Sequence, residues 1–290
     1  PELITIHDYG WARPSRIFWN QSGTLQMDDG TSGFHPNFAG MGLGIADLNG
    51  DTIPDFLQSS WEVISLLQSN ETTLATQGIM WIEYASALGM DLKDVHIHEF
   101  GWGAEFGDLD NDSDIDAMMV FGGWSNEGDV LLSEQRDMVF IQNDDGSFVD
   151  VAPKWGLDHP GVGRGVLLVD VNDDGWLDII ERILGEPSQL HLSRCGTKHW
   201  LRISLRSPSA NTRAIGSRIR IVTGDEQHIR WVTSGSTSMF SGAPSEVHFG
   251  LDAHETVDLL EITWPTGEVS QIHNVDANQI LEIHALPSTE

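Results

Sequence analysis

Cysteine is nearly absent: Cys195 is the one thiol among 290 residues. That excludes an intrachain disulfide framework within these residues and leaves the compartment open on redox grounds. Basic residues are also scarce, 15 Lys and Arg against 44 Asp and Glu, giving a formal net charge of −29. Such a surplus repels phosphate backbones and anionic lipid, which excludes nucleic acid and membrane surfaces as partners. No apolar run reaches the ~18 residues of a bilayer-spanning helix, and Pro1-Glu2-Leu3-Ile4 lacks the basic n-region of a signal peptide. A Gly-x-Ser-x-Gly elbow, a P-loop and a dinucleotide-binding glycine pattern are missing too. The chain is nevertheless no disordered acidic tail. Its 40% hydrophobic share and its length allow one large or two ordinary domains, each with a real core.

The acid is concentrated in three windows of nine residues, Asp47–Asp55, Asp108–Asp116 and Asp170–Asp178, which begin 61 and 62 residues apart. A fixed spacing of this kind is an internal repeat. Each window follows a Gly-rich run (Gly42–Ala46, Gly103–Gly107, Gly163–Val169) and precedes an apolar one (Phe56-Leu57, Ala117–Phe121, Ile179-Ile180). The acidic segment therefore joins two short strands in a hairpin-like setting. Turn signals such as Asn143–Ser147 and Asn20–Gly23 divide the rest of each unit. Several short strands per sixty-residue unit fit a radial all-β array, a propeller. Pro1–Ile4 aligns with Pro54–Leu57, so the first residues read as the tail of a fourth acidic loop. Three blades and a remnant are too few to close a propeller, and upstream blades or a partner chain are expected to complete it.

Calcium takes six to eight oxygen ligands in a flexible shell. In a tight loop, positions one, three and five turn their side chains inward, position seven offers a carbonyl and position nine a closing carboxylate. The first loop supplies Asp47, Asn49, Asp51, the Ile53 carbonyl and Asp55; the second, Asp108, Asp110, Asp112, the Asp114 carbonyl and Asp116; the third, Asp170, Asn172, Asp174, the Trp176 carbonyl and Asp178. About three Ca2+ sites are expected. Magnesium fits less well because it demands strict octahedral geometry and retains waters. The third loop also satisfies the EF-hand pattern, with Gly175 at position six and Glu181 at position twelve. The twelfth positions of the other loops are Gln58 and Met119, which cannot supply a bidentate carboxylate, and the flanks are Gly-rich rather than helical. Glu181 is accordingly expected to be a solvent-facing strand residue.

These loops resemble the FG-GAP/VCBS repeats of integrin-α-type β-propellers, with Thr52 and Ser113 standing where that family usually has glycine. After residue 195 the pattern changes. Trp200–Leu205 and Ser217–Val222 alternate at period two, and strand-like runs follow at Val257–Thr263 and Gln279–His284 around the turn at Trp264–Gly267. The strings Asn211 with Ala214–Arg218, His248–Leu251, Trp264–Gly267 and Asn274 with Asn278-Gln279 resemble the ASPIC/UnbV domain across residues 200–285. The whole chain is thus similar to the cartilage-acidic-protein-like family of secreted proteins. The expected fold is all-β: partial propeller blades over residues 1–195, then a small β-sandwich-like domain over residues 196–286. The resemblance implies calcium binding and extracellular, periplasmic or cell-surface placement, with no common catalytic activity. Arg202, Arg206, Arg213, Arg218, Arg220 and Arg230 are expected on a solvated face that could dock on the acidic repeats.

The sequence offers little for catalysis. His96 and His98 would share one strand face and could ligate a transition metal, but no third ligand is identifiable. Cys195 has no evident activating partner. Trp61, Trp81, Trp102 and Trp124 could stack on sugars or form inter-blade core. N-glycosylation sequons stand at Asn20, Asn70 and Asn111, the last inside a metal loop. Residues 62–92 form an insert with a partly helical-looking stretch from Met80 to Leu88. The expected function is calcium-stabilised recognition, adhesion or assembly, directed at a protein or glycan ligand. The alternative is a lyase, hydrolase or cyclase on the same scaffold.

Overall fold

The computed structural model describes residues 2–8, 14–34, 39–92, 99–123, 135–194, 196–235 and 240–286. The strands of the repeat region form four sheets. The first contains β1 (Leu3–Thr5), β2 (Arg16–Gln21) and β3 (Thr24–Met27); the second, β4 (Gly42–Ala46), β5 (Asp55–Ser59), β6 (Ile64–Glu71) and β7 (Ile79–Glu83). The third contains β8 (Gly101–Gly107), β9 (Asp116–Phe121), β10 (Met138–Gln142) and β11 (Phe148–Asp150), followed by the short helix α1 (Ala152–Trp155). The fourth contains β12 (Gly163–Val169), β13 (Asp178–Ile183) and β14 (Gln189–His191). Every sheet is an antiparallel meander, and each acidic window is the hairpin loop between its first two strands.

The leading strands β4, β8 and β12 lie side by side. Their glycines permit this: a Cβ on Gly42 would stand 2.3 Å from the Trp102 carbonyl oxygen, and one on Gly103 2.9 Å from the Val166 nitrogen. Between the sheets lie three apolar layers. Period-two alternation is visible in β9, where Ala117, Met119 and Phe121 enter the core shared with the second sheet and Met118 and Val120 the core shared with the fourth. Because both faces are covered, the strand reads as an unbroken apolar run. Trp81 and Trp102 are core residues, and their indole nitrogens donate to the carbonyls of Pro54 (2.8 Å) and Gly122 (2.7 Å). Trp19 stacks on Trp81 with centroids 5.9 Å apart. Trp61 is half-exposed and stacks on Phe100. Trp124 lies outside the described residues.

The stretch from Met80 to Leu88 is not helical. Its first half is β7, paired with β6 through Ser69 opposite Trp81, and the Trp81 nitrogen donates to the Ser32 carbonyl. Burying Trp81 and pairing a sheet edge outweigh the modest helix propensity of the Ala- and Leu-containing sequence.

The C-terminal region is a two-sheet sandwich. One sheet contains β15 (His199–Arg206), β18 (Glu246–Asp252) and β21 (Gln279–His284), with β15 parallel to β21. The other contains β16 (Arg218–Thr223), β17 (Glu226–Trp231), β19 (Thr256–Thr263) and β20 (Val269–Asp276). Leu201, Ile203 and Leu205 on β15 face Ile219, Ile221, Leu260 and Ile262 in one core, as the period-two reading requires. The architecture is therefore all-β, as expected. No helix among the described residues is long and apolar enough to cross a membrane.

Candidate functional site

The three acidic loops share one hydrogen-bond skeleton. At position one, Asp47, Asp108 and Asp170 accept the backbone N–H of Thr52 (3.0 Å), Ser113 (2.9 Å) and Gly175 (2.8 Å). At position three, Asn49, Asp110 and Asn172 accept the N–H of Asp51, Asp112 and Asp174 at 3.0 to 3.2 Å. At position five, Asp51, Asp112 and Asp174 accept the N–H of Ile53, Asp114 and Trp176 at 2.8 to 3.1 Å. These bonds fold the loop over its own side chains and hold them there.

Position nine closes each loop from below. One oxygen of Asp55, Asp116 or Asp178 accepts the N–H of Leu48, Leu109 or Val171; the other accepts that of Ser69, Gln142 or Ser193 from further along the same unit. All three aspartates are fully buried. Thr52 and Ser113 adopt φ of +73° and +83°, beside +86° for Gly175. The two departures from glycine therefore keep the tight turn, at a cost of about 1–2 kcal/mol each.

The donor set fits a hard divalent cation. In the second loop, oxygens of Asp108, Asp110 and Asp116 lie within 4.8 Å of one another. In the first, Asp47 Oδ1 is buried without a hydrogen-bond partner, the state expected of an oxygen whose partner is an ion. Burial, aided by Asp112, pushes Asp108 up to about 8 against the opposing charge of Arg230. Burial likewise raises Asp55 to about 6 and Asp116 well above the ordinary carboxylate range. The chain's own groups thus leave these carboxylates short of positive charge.

What positive charge they receive comes from the C-terminal sandwich, seated on the second and third loops. Arg202 is almost fully buried; it donates to Asp170 Oδ2 at 2.9 Å and pairs with Asp173. Lys198 Nζ stands 3.3 Å from Asp110 Oδ1 and 3.6 Å from Asp112 Oδ2. Burial works against its charge, but those carboxylates outweigh it and raise its pKa. Burial lowers Arg230 to about 10, with Asp108 and Asp47 opposing. Backbone contacts complete the seat: Asp252 N donates to the Asn111 carbonyl at 2.9 Å, and His248 Nε2 lies 3.0 Å from the Gly175 carbonyl oxygen. Sequence reasoning grouped the arginines together; the structure divides them. Arg206 and Arg220 pair within the sandwich, with Glu282 and Glu261. Lys198 was not singled out, and its one sequence signal is its place just before β15.

Gly250 marks how closely the parts approach. A Cβ there would stand 2.0 Å from Asp108 Oδ2 and 2.5 Å from the Asn111 Cα. Gly250→Ala should therefore cost about 1–3 kcal/mol, seen as a lower urea midpoint; an unchanged midpoint would mean the seat is looser than drawn.

Glu181 does not face solvent. It is 5% exposed, its Oε2 lies 3.3 Å from His191 Nε2, and β13 is covered on that face by the neighbouring sheet. Glu181 shares the covered face of β13 with the buried Ile179 and Ile183, while Ile180 and Arg182 occupy the more open face. His96, His98 and Cys195 lie outside the described residues. Asn111 is fully buried, and its side-chain amide donates to the Gly175 carbonyl, so this sequon is closed in the folded chain.

A cavity of about 160 Å³ lies where the leading strands meet the sandwich, lined among others by Glu105, Arg202, Arg230 and His248. Beside it, Ser241 Oγ accepts from Val166 N at 3.1 Å and Phe240 lies 6.0 Å from Trp102, so a sandwich loop fills this end of the leading strands.

Comparison with known proteins agrees with the C-terminal assignment. Residues 207–289 match the family model described as ASPIC and UnbV. Cartilage acidic protein 1 of Mus musculus is 24% identical over 286 residues, and that of Homo sapiens 23%. Each alignment covers 93% of this chain but only 41% and 40% of those proteins, so the chain spans about two fifths of their length. The chain is thus similar to cartilage acidic protein 1 along nearly all of its length and carries an ASPIC/UnbV segment at its C-terminal end.

Proposed function

We propose that this chain is a calcium-binding segment of an FG-GAP/VCBS-type β-propeller, residues 1–195, joined to an ASPIC/UnbV sandwich, residues 196–286. It acts outside the cytoplasm, secreted or at the cell surface, in recognition, adhesion or assembly with a protein or glycan ligand. The observation that carries the calcium reading is the common hydrogen-bond skeleton of loops 47–55, 108–116 and 170–178. Asp47, Asn49, Asp51, Asp55 and the Ile53 carbonyl would hold the first ion, and the equivalent groups of the other loops the second and third. The bound ions would neutralise crowded carboxylates and fix each hairpin between its neighbours. Placement outside the cell rests on the likeness to the cartilage-acidic-protein-like family.

Among the described residues an enzymatic alternative could use the small cavity between Glu105, Arg202, Arg230 and His248, beside which a loop of the sandwich is seated, or a cavity of about 710 Å³ lined by Asp110, Lys154, Trp176 and His191. Binding without turnover needs no such chamber.

Titration calorimetry tests the ligand set. Asp174→Ala should remove one of about three calcium-binding events, while Glu181→Ala should keep the stoichiometry even if it lowers stability, because Glu181 is engaged with His191. Equal loss of a site in both variants would favour the EF-hand geometry instead.

A further inference from the structure

We propose that Lys198 is a built-in counter-ion of the second loop, holding Asp110 and Asp112 when the loop lacks a divalent cation and competing with that cation for the same carboxylates. The inference rests on the calcium reading of the loop and adds a residue to it. Loop 108–116 is the most acidic of the three, with five aspartates in nine positions. It is also the most enclosed: Asp108, Asn111, Ser113 and Asp116 are all buried. Lys198 Nζ is 3.3 Å from Asp110 Oδ1, 3.6 Å from Asp112 Oδ2 and 4.0 Å from Asp252 Oδ1. Asp110 and Asp112 are the third and fifth positions of the loop, so the ammonium group touches two of the side chains assigned to the ion.

The lysine is held where it stands. It immediately precedes β15, and the sandwich is pinned to this loop by the Asp252 N–H on the Asn111 carbonyl and by Ser113 Oγ on the Gly250 carbonyl. The first loop has no such device: among the described residues, no Lys or Arg ion pair engages Asp47, Asn49 or Asp51. The third loop differs again. There the cation, Arg202, engages Asp170 and the non-ligand Asp173 rather than positions three and five.

Two like charges drawing on one pair of carboxylates must weaken each other. Removing the lysine charge should therefore have opposite effects in the two states. In Lys198→Gln, calcium should bind the second loop about two- to fivefold more tightly, the scale of a partly exposed ion pair. The same variant should melt lower than wild type in EGTA, and no lower in saturating calcium. Lys198→Arg, which keeps the charge, should behave close to wild type. In an Asp112→Ala background the lowering of the melting point in EGTA by Lys198→Gln should shrink, since one of the two paired carboxylates is gone. Unchanged or weaker calcium binding in Lys198→Gln, with Asp112→Ala still losing a site, overturns the counter-ion role alone. Absence of calcium binding in the wild type overturns the calcium reading itself, and leaves Lys198 as an ordinary ion pair.

Discussion

In excess EGTA the protein should melt about 15 °C lower than in millimolar calcium. The size follows from linkage. A ligand at a hundred times its dissociation constant stabilises the folded state by about 2.7 kcal/mol per site, hence roughly 8 kcal/mol for three sites. For a chain of this size each kcal/mol moves the midpoint by about 2 °C. The structural cause is the crowding of carboxylates in loops 47–55, 108–116 and 170–178, where Asp55, Asp116 and Asp178 are fully buried. Differential scanning calorimetry reads the effect directly, and coincident curves in EGTA and calcium would remove the ion from the folding account. Magnesium at the same concentration should restore much less, because these loops offer a flexible set of protein oxygens rather than a hydrated octahedron.

The second large effect is a reversal of the pH dependence on chelation. Without metal, the carboxyl group of Asp108 is pushed up to about 8 by burial and by Asp112. Its unfolded value is 3.8, so its ionised form burdens the folded state fully above pH 8, and the burden falls as pH drops below 8. Between pH 8.5 and 6.5 the metal-free protein should gain about 2 kcal/mol, or about 4 °C. The calcium-loaded protein should gain nothing there, because the ion already holds the carboxylates in ionised form. The window stops at 6.5 for a reason. Below it the unfolded chain protonates His228 and His248, whose folded values burial lowers to about 4, and stability is then lost on acidification. Parallel pH profiles with and without calcium would contradict this reasoning.

The fold was largely legible because two periodicities coincide in the sequence. The sixty-residue recurrence of acidic loops marks the hairpins, and the apolar runs after the first two mark strands covered on both faces, β5 and β9. The loop chemistry was legible for the same reason: alternate positions in a tight turn converge, whatever surrounds them. What was lost depends on packing between units. Met80 to Leu88 carries residues that favour a helix, yet Trp81 is needed in the core against Trp19 and Phe34, and edge pairing fixes a strand. The charge of Glu181 predicts a place in solvent, yet the residue alternates with the buried Ile179 and Ile183 on the covered face of β13.

The contribution of the sandwich to the loops was the least legible part. Lys198, Arg202 and Arg230 come from positions 29 to 183 residues beyond the loop residues they serve. No local pattern distinguishes Arg202, which seats on Asp170, from Arg206, which pairs with Glu282 on the same sandwich sheet. The clearest sequence trace of docking is Gly250, a glycine inside β18, where a side chain would meet Asp108. It becomes meaningful only once the second loop is known to lie above it.

The central claim is that recurring oxygen clusters in this chain are filled by calcium. It is tested most directly by a crystal structure grown in millimolar calcium, with anomalous differences recorded at long wavelength. Three strong peaks, one inside each of loops 47–55, 108–116 and 170–178, ringed by the oxygens named above, are the predicted result. Density explained by water alone in all three loops would contradict it.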